Sequence, residues 1–329
     1  MILPGASLAT IPADEAKLLS RAAAWHPEIG LPCLTVPFLQ EVSQSDGLDF
    51  ATALVHDRLL RHPNNAAFLE RFQSSSKSLS PADCLIGIAP GAFYREHKNT
   101  GADGRRIVEL ARTLQVSAEL IPVKSFGFLA ENAAIISEWL ETKQSRDVIL
   151  VSLSKGSTDI KHALSMPGAS QRFSNVRAWI SFSGIVHGTA LVGWLRARPL
   201  RQFLFRLLLR IQGHHPGVIE ELCRDKHVLR PWPSIPSHML VVHVHGLPLR
   251  RHLHHPWALR AYERLTPLGP NDGGGILLGD LTKLPGFVCP IWAADHYLSP
   301  AWDITPVFLA IACACLPITC SPQAILSAT

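Results

Sequence analysis

Three side chains far apart in the chain have the types that nucleophilic catalysis requires: Ser154, Asp272 and His296. A serine hydroxyl attacks a carbonyl only when a base removes its proton. A histidine fills that role when an acid holds its tautomer and offsets its developing charge. Ser154 lies in the run RDVILVSLSKGSTDIKHAL, residues 146–164, where an apolar segment turns at Ser152-Leu153-Ser154-Lys155-Gly156 and continues with helical spacing. A tight strand-to-helix turn of this kind exposes the central hydroxyl above a sheet, and small residues two before and two after it let strand and helix approach. The familiar spacing is G-x-S-x-G, and here Ser152 carries a Cβ at the first small position. The same residues also fit an ordinary buried strand followed by a serine N-cap.

The elements that would position the partners come later in the chain. The run FVCPIWAADHYL reads as a strand that delivers His296 just beyond its end, which makes it the best placed of the 16 histidines to act as base. Before it stands GPNDGGGILLGDLTKLPG, where Asp272 occupies a turn between proline and glycines and can point inward without a helix constraining it. Asp280 is the alternative acid, although it follows a short apolar run and could cap the next turn. Asp295 adjoins His296 and is poorly placed to aim at its Nδ1.

From Cys84 onward, CLIGIAP, AELIPV, DVILVS, VRAWISF, HMLVVHVHG and FVCPIWAAD alternate with amphipathic segments such as GRRIVELARTLQ, ENAAIISEWLETK and WALRAYERL. Nearly continuous apolar strands separated by helices predict an α/β fold, with a doubly wound, mostly parallel sheet of about six or more strands covered on both faces. Residues 1–80 carry helical spacing at Ala13 to Trp25, Phe50 to Arg61 and Asn65 to Phe72, and read as a helical N-terminal extension ending at SSSKSLSP. The core then comprises residues 81–188 and 238–329, interrupted by an insertion at 189–237. In that insertion, Arg196, Arg198, Arg201, Arg206 and Arg210 interrupt a strongly apolar helix. It fits a cap packed on the core with solvated arginines, and alternatively a lid whose apolar face covers a site and makes transient contact with a lipid surface.

Composition narrows the function classes. With 47% hydrophobic and 17% charged residues, the 329-residue chain can bury a large core. The net charge of +5 is not gathered into basic blocks, so nucleic-acid binding is not expected. The opening residues lack a basic, then apolar, leader pattern and no uncharged apolar stretch reaches a membrane span, so a cytoplasmic protein without a transmembrane segment is expected. Seven cysteines include no C-x-x-C pair; Cys84 and Cys289 fall in predicted strands, and Cys313 and Cys315 in the run VFLAIACACLPI. His243 and His245 would share one strand face, with His252, His254 and His255 in the following loop. No carboxylate or cysteine nearby completes a ligand set, so neither metal nor cofactor is expected.

The elbow at Ser154, the NDG turn and the terminal ADHY together resemble the α/β-hydrolase fold superfamily, in particular its bacterial lipases and esterases, whose nucleophile, acid and histidine follow that chain order. SLSKG resembles the HSKGG elbow of some lipases, with Ser152 and Ser157 as departures. The resemblance covers roughly Cys84 to the C-terminus. It implies ester hydrolysis through an acyl-enzyme on small-molecule or lipid esters, with thioester hydrolysis or acyl transfer as the alternative using the same residues. A binding protein that keeps the fold without catalysis is the other alternative. It further implies an oxyanion hole made by backbone N–H groups, one from Lys155 and one from Ala92 in the Pro90-Gly91-Ala92 turn after the first strand. The Lys155 side chain is expected to face solvent.

Overall fold

The computed structural model describes residues 11–74, 84–224, 229, 231–298, 304, 305 and 308. The serine-rich break at 75–81 and the cysteines at 313, 315 and 320 lie outside them. Six strands form one sheet: β1 (Cys84–Ala89), β2 (Ser117–Leu120), β3 (Asp147–Leu153), β4 (Val176–Phe182), β5 (Leu240–Leu247) and β6 (Phe287–Trp292). Their spatial order is β2-β1-β3-β4-β5-β6, and every pairing is parallel. Parallel neighbours need crossover connections, which the helices supply.

Alternation along the strands fills both faces. Ile149 and Val151 of β3 join Ile86, Ile88 and Ile180 against α5 (Arg105–Thr113), while Val148 and Leu150 join Leu85, Trp179 and Val241 on the opposite side. That second face packs against α6 (Leu129–Glu141) and α7 (Lys155–Leu164). Cys84 and Cys289 are buried within the strands as expected, and burial raises their thiols to about 11 and about 12.

The N-terminal residues form α1 (Ala13–Ala24), α2 (Val36–Ser45), α3 (Leu48–Arg61) and α4 (Pro63–Ser74). They close the sheet edge at β6. Phe50, Leu54 and Leu59 share a core with Leu281 and Val288, and Asn65 Oδ1 accepts the Val288 N–H at 2.9 Å. Buried Glu15 ties α1 to the C-terminal half by accepting from Trp292 Nε1 at 2.7 Å and contacting His252 Nε2 at 2.9 Å. An edge strand left bare would be a template for aggregation, so this helical layer is part of the core's architecture.

After the short α8 (Ala169–Arg172) and β4, the insertion contributes α9 (Ala190–Arg196), α10 (Pro199–Ile211) and α11 (Val218–Glu221) before β5, and α12 (Pro256–Leu265) follows it. Leu209 of α10 is buried, whereas Leu200, Phe203, Leu204, Leu207, Leu208 and Ile211 are between 42% and 74% exposed. Among the described residues no helix is long and apolar enough to cross a membrane.

Candidate active site

The turn between β3 and α7 places Ser154 at the carboxyl edge of the sheet. Its backbone takes φ 48° and ψ −112°, a conformation that costs a side-chain-bearing residue of order 1–3 kcal/mol and is held by the surrounding chain. Ser154 N–H donates to Phe182 O at 3.0 Å, and Ser154 O accepts from Ser157 N at 3.1 Å. Gly156 is required by close approach, since a Cβ there would stand 2.3 Å from Ala89 O.

Ser152 and Ser157, the two departures from the lipase-like elbow, belong to one buried polar cluster. Trp179 Nε1 donates to Ser152 Oγ at 2.7 Å, Ser152 Oγ and Ser157 Oγ lie 2.8 Å apart, and Ser181 Oγ donates to Ser157 Oγ at 2.9 Å. The added hydroxyl is accommodated because every member has a partner, which is the condition for burying polar groups without penalty.

Lys155 departs from the sequence expectation. Its side chain is 1% exposed, not solvent-facing, and its Nζ donates to Asp159 Oδ1 at 2.7 Å. Asn132 Nδ2 donates to Asp159 Oδ2 at 3.0 Å, while Asn132 also bonds both backbone groups of Lys124. Burial pushes Asp159 upward, opposed by the Lys155 ammonium and the Asn132 amide. The i, i+4 spacing of Lys155 and Asp159 was the available signal for this pair; that α7 is buried nearly all round could not be read from its polar residues.

His296 emerges just past β6 and lies with its Nε2 3.0 Å from Ser154 Oγ and its Nδ1 2.6 Å from Asp272 Oδ2. An ionised carboxylate only accepts, so Nδ1 carries the hydrogen and Nε2 is the acceptor facing the serine hydroxyl. Asp272, fully buried, uses Oδ1 to accept N–H bonds from Gly274, Gly275 and Ile276 at 2.8–3.0 Å. Its backbone O also accepts from His296 N at 2.7 Å, so one residue fixes both the ring and the main chain of the histidine. A Cβ on Gly274 would stand 1.9 Å from His296 Cγ, which explains a glycine there.

These contacts set the protonation states. Burial alone would raise Asp272, but His296 and the loop N–H groups outweigh it and hold the carboxyl below its usual range. Burial alone would depress His296, but the Asp272 charge and hydrogen bond outweigh it and raise the imidazole above its usual value. Asp280 lies elsewhere, accepting both Nε and Nη2 of Arg224 at 2.8 and 2.7 Å. Asp295 accepts the Tyr297 N–H at 2.9 Å, turned to its own loop.

The turn after β1 runs alongside. A Cβ on Gly91 would be 3.5 Å from Ser154 Cβ, which puts Ala92 beside the serine. Gly91 N–H donates to Ala102 O and Phe93 N–H to Ser125 O, whereas Ala92 N–H has no acceptor among the described residues. Lys155 N–H opens α7 and, as a first-turn donor, has no intrahelical acceptor. Two backbone donors without acceptors among the described residues therefore lie beside Ser154.

A cavity of about 900 Å³ opens on Ser154 and His296, with Phe93, Phe126, Ile185, Val192 and Phe205 among its walls. His243 and His245 lie in the core below, stacked at 6.3 Å, with burial holding His245 to about 4. No group of three or more residues suited to a metal ion occurs among the described residues.

No protein-family model and no curated protein matches the sequence. Among solved structures, a metagenomic carboxyl esterase aligns with a TM-score of 0.55 at 18% identity, covering 72% of this chain and 76% of that one. The mature form of a Bacillus licheniformis lipase aligns with a TM-score of 0.51 at 19% identity, over 72% of this chain and 94% of that one. Likeness at this identity concerns the path of the backbone. Taken with six parallel strands and a serine turn at the carboxyl edge of the sheet, it places this chain in the α/β-hydrolase fold.

Proposed function

We propose that this protein hydrolyses carboxylic esters through an acyl-enzyme on Ser154. The observation that carries the reading is the continuous contact from Ser154 Oγ to His296 Nε2 and from His296 Nδ1 to Asp272 Oδ2, at 3.0 and 2.6 Å. His296 accepts the serine proton as Oγ attacks the carbonyl carbon, and Asp272 stabilises the imidazolium that forms. The N–H groups of Lys155 and Ala92 receive the developing oxyanion, aided by the positive end of α7. His296 then protonates the departing alcohol, and a water activated by the same base releases the acid.

The apolar walls of the cavity suit an acyl chain, and the insertion at 189–237 serves as its cap, since Val192 and Phe205 come from α9 and α10. The exposed apolar row of α10 is the surface through which the cap contacts lipid. Hydrolysis of p-nitrophenyl butyrate by the purified protein tests the reading. Ser154→Ala should lose at least about 10⁴-fold in kcat, and equal turnover by both proteins would refute it.

A further inference from the structure

The walls of the active-site cavity are charged in one sense only. Arg106, Arg201, Arg260 and Arg264 line it, and no aspartate or glutamate does so among the described residues. A second cavity of about 710 Å³ shares Thr189, Trp194, Arg201, Arg260 and Arg264 with the first and adds Arg198. The carboxylate on its wall, Glu263, is 2.6 Å from Arg250 Nη2 and so is already engaged. Arg224, also on that wall, is held by Asp280.

Three of the remaining arginines converge from two elements onto one aromatic ring. Arg198 and Arg201 come from the start of α10 and Arg264 from α12, and their guanidinium carbons lie 4.2, 5.2 and 4.4 Å from the centroid of Trp194. Arg198 is held there by donating Nη1 to Trp194 O at 2.9 Å, whereas a guanidinium over a ring face keeps its N–H edge available to a ligand in Arg201 and Arg264. Arg201, Arg260 and Arg264 form no ion pair among the described residues. Partial desolvation, then the charges of Arg201, Arg260 and Arg198, lower the pKa of Arg264. An alkyl alcohol leaving group would gain nothing from such a wall. A carboxylate is satisfied by one guanidinium fork, whereas a phosphoryl group offers enough oxygens to engage several.

Building on the ester-hydrolase reading, we propose that the arginine-walled chamber is the leaving-group subsite for an ester whose alcohol carries a phosphoryl group. The acyl chain occupies the apolar chamber, Ser154 Oγ bonds to the acyl carbon, and the bond from that carbon to the alcohol oxygen breaks. His296 protonates the alcohol oxygen, and water then releases the carboxylic acid. The phosphoryl group is bound and leaves unchanged on its alcohol.

The test compares two soluble esters that differ only in phosphate: hexanoyl glycerol and hexanoyl glycerol 3-phosphate, at low ionic strength and below aggregation. The proposal expects kcat/KM for the phosphorylated ester to be higher by about tenfold or more. The ratio should fall towards one in Arg260→Gln/Arg264→Gln and in high salt. Equal kcat/KM in the wild type, or a ratio that survives both substitutions, would overturn the subsite. So would a preference seen only with oleoyl esters in mixed micelles, which would assign the arginines to a charged lipid interface instead. Fluorophosphonate labelling of Ser154 is followed in the same preparations: labelling without phosphate preference defeats the subsite alone, and no labelling with no hydrolysis of either ester defeats the hydrolase reading on which it rests.

Discussion

At the scale of single residues, His296 has two nitrogens with different partners, Asp272 Oδ2 and Ser154 Oγ. Because Asp272 and its hydrogen bond raise His296 above the ordinary histidine value of 6.5, the neutral base forms only as pH climbs through that raised value. The acid limb of kcat/KM should therefore have its midpoint above 6.5, measured on a neutral soluble ester. Asp272→Asn would present an amide where Nδ1–H now donates, favouring the wrong tautomer. We expect kcat to fall by about 10³–10⁴-fold with little change in KM. Ser152 is a different case, since its hydroxyl accepts the buried Trp179 N–H and touches no substrate-facing atom. Ser152→Ala should cost about 1–3 kcal/mol in denaturant unfolding by leaving that donor unpaired, with kcat altered far less than stability.

At the scale of elements, the strands and the turn chemistry were legible because their signals are local. The apolar runs from CLIGIAP to FVCPIWAAD each became a strand, and the glycines beside Asp272 mark a loop that folds back on His296. The rest was not local. Lys155 looked like a surface cation and is buried because α6 and β1 both pack on α7, a fact carried by residues distant in the chain. Helix α2 was missed since Val-Pro-Phe-Leu-Gln gives no clear period, and its start depends on Thr35 accepting the Phe38 N–H. The arginines at 198, 201 and 264 come together only because the start of α10 and α12 both reach Trp194 of α9. For α10 itself, the exposed apolar row sets an expectation. Leu207→Glu/Ile211→Glu should lower hydrolysis of emulsified triglyceride at least about fivefold more than hydrolysis of a soluble ester. Equal losses on both substrates would remove the lipid-facing role.

At the scale of the whole molecule, the helical N-terminal layer shares a core with the strand that precedes His296. The layer covers β6, and β6 delivers His296, so the position of the base depends on helices that carry no chemistry. Asn65 Oδ1 accepts the buried Val288 N–H at 2.9 Å, and Asn65→Ala should destabilise the fold by about 1–3 kcal/mol in thermal or denaturant unfolding. Composition also hides how charge is placed: a net of +5 is modest, yet among the described residues one cavity is lined by four arginines and no carboxylate. The central claim remains that Ser154 is a nucleophile made reactive by His296 and Asp272. Its most direct test is to react the protein with a fluorophosphonate and map the adduct by peptide mass spectrometry. A single adduct on Ser154, absent in Ser154→Ala and formed more slowly in Asp272→Asn, is the predicted result; an unlabelled wild type, or labelling that persists unchanged in Ser154→Ala, would contradict it.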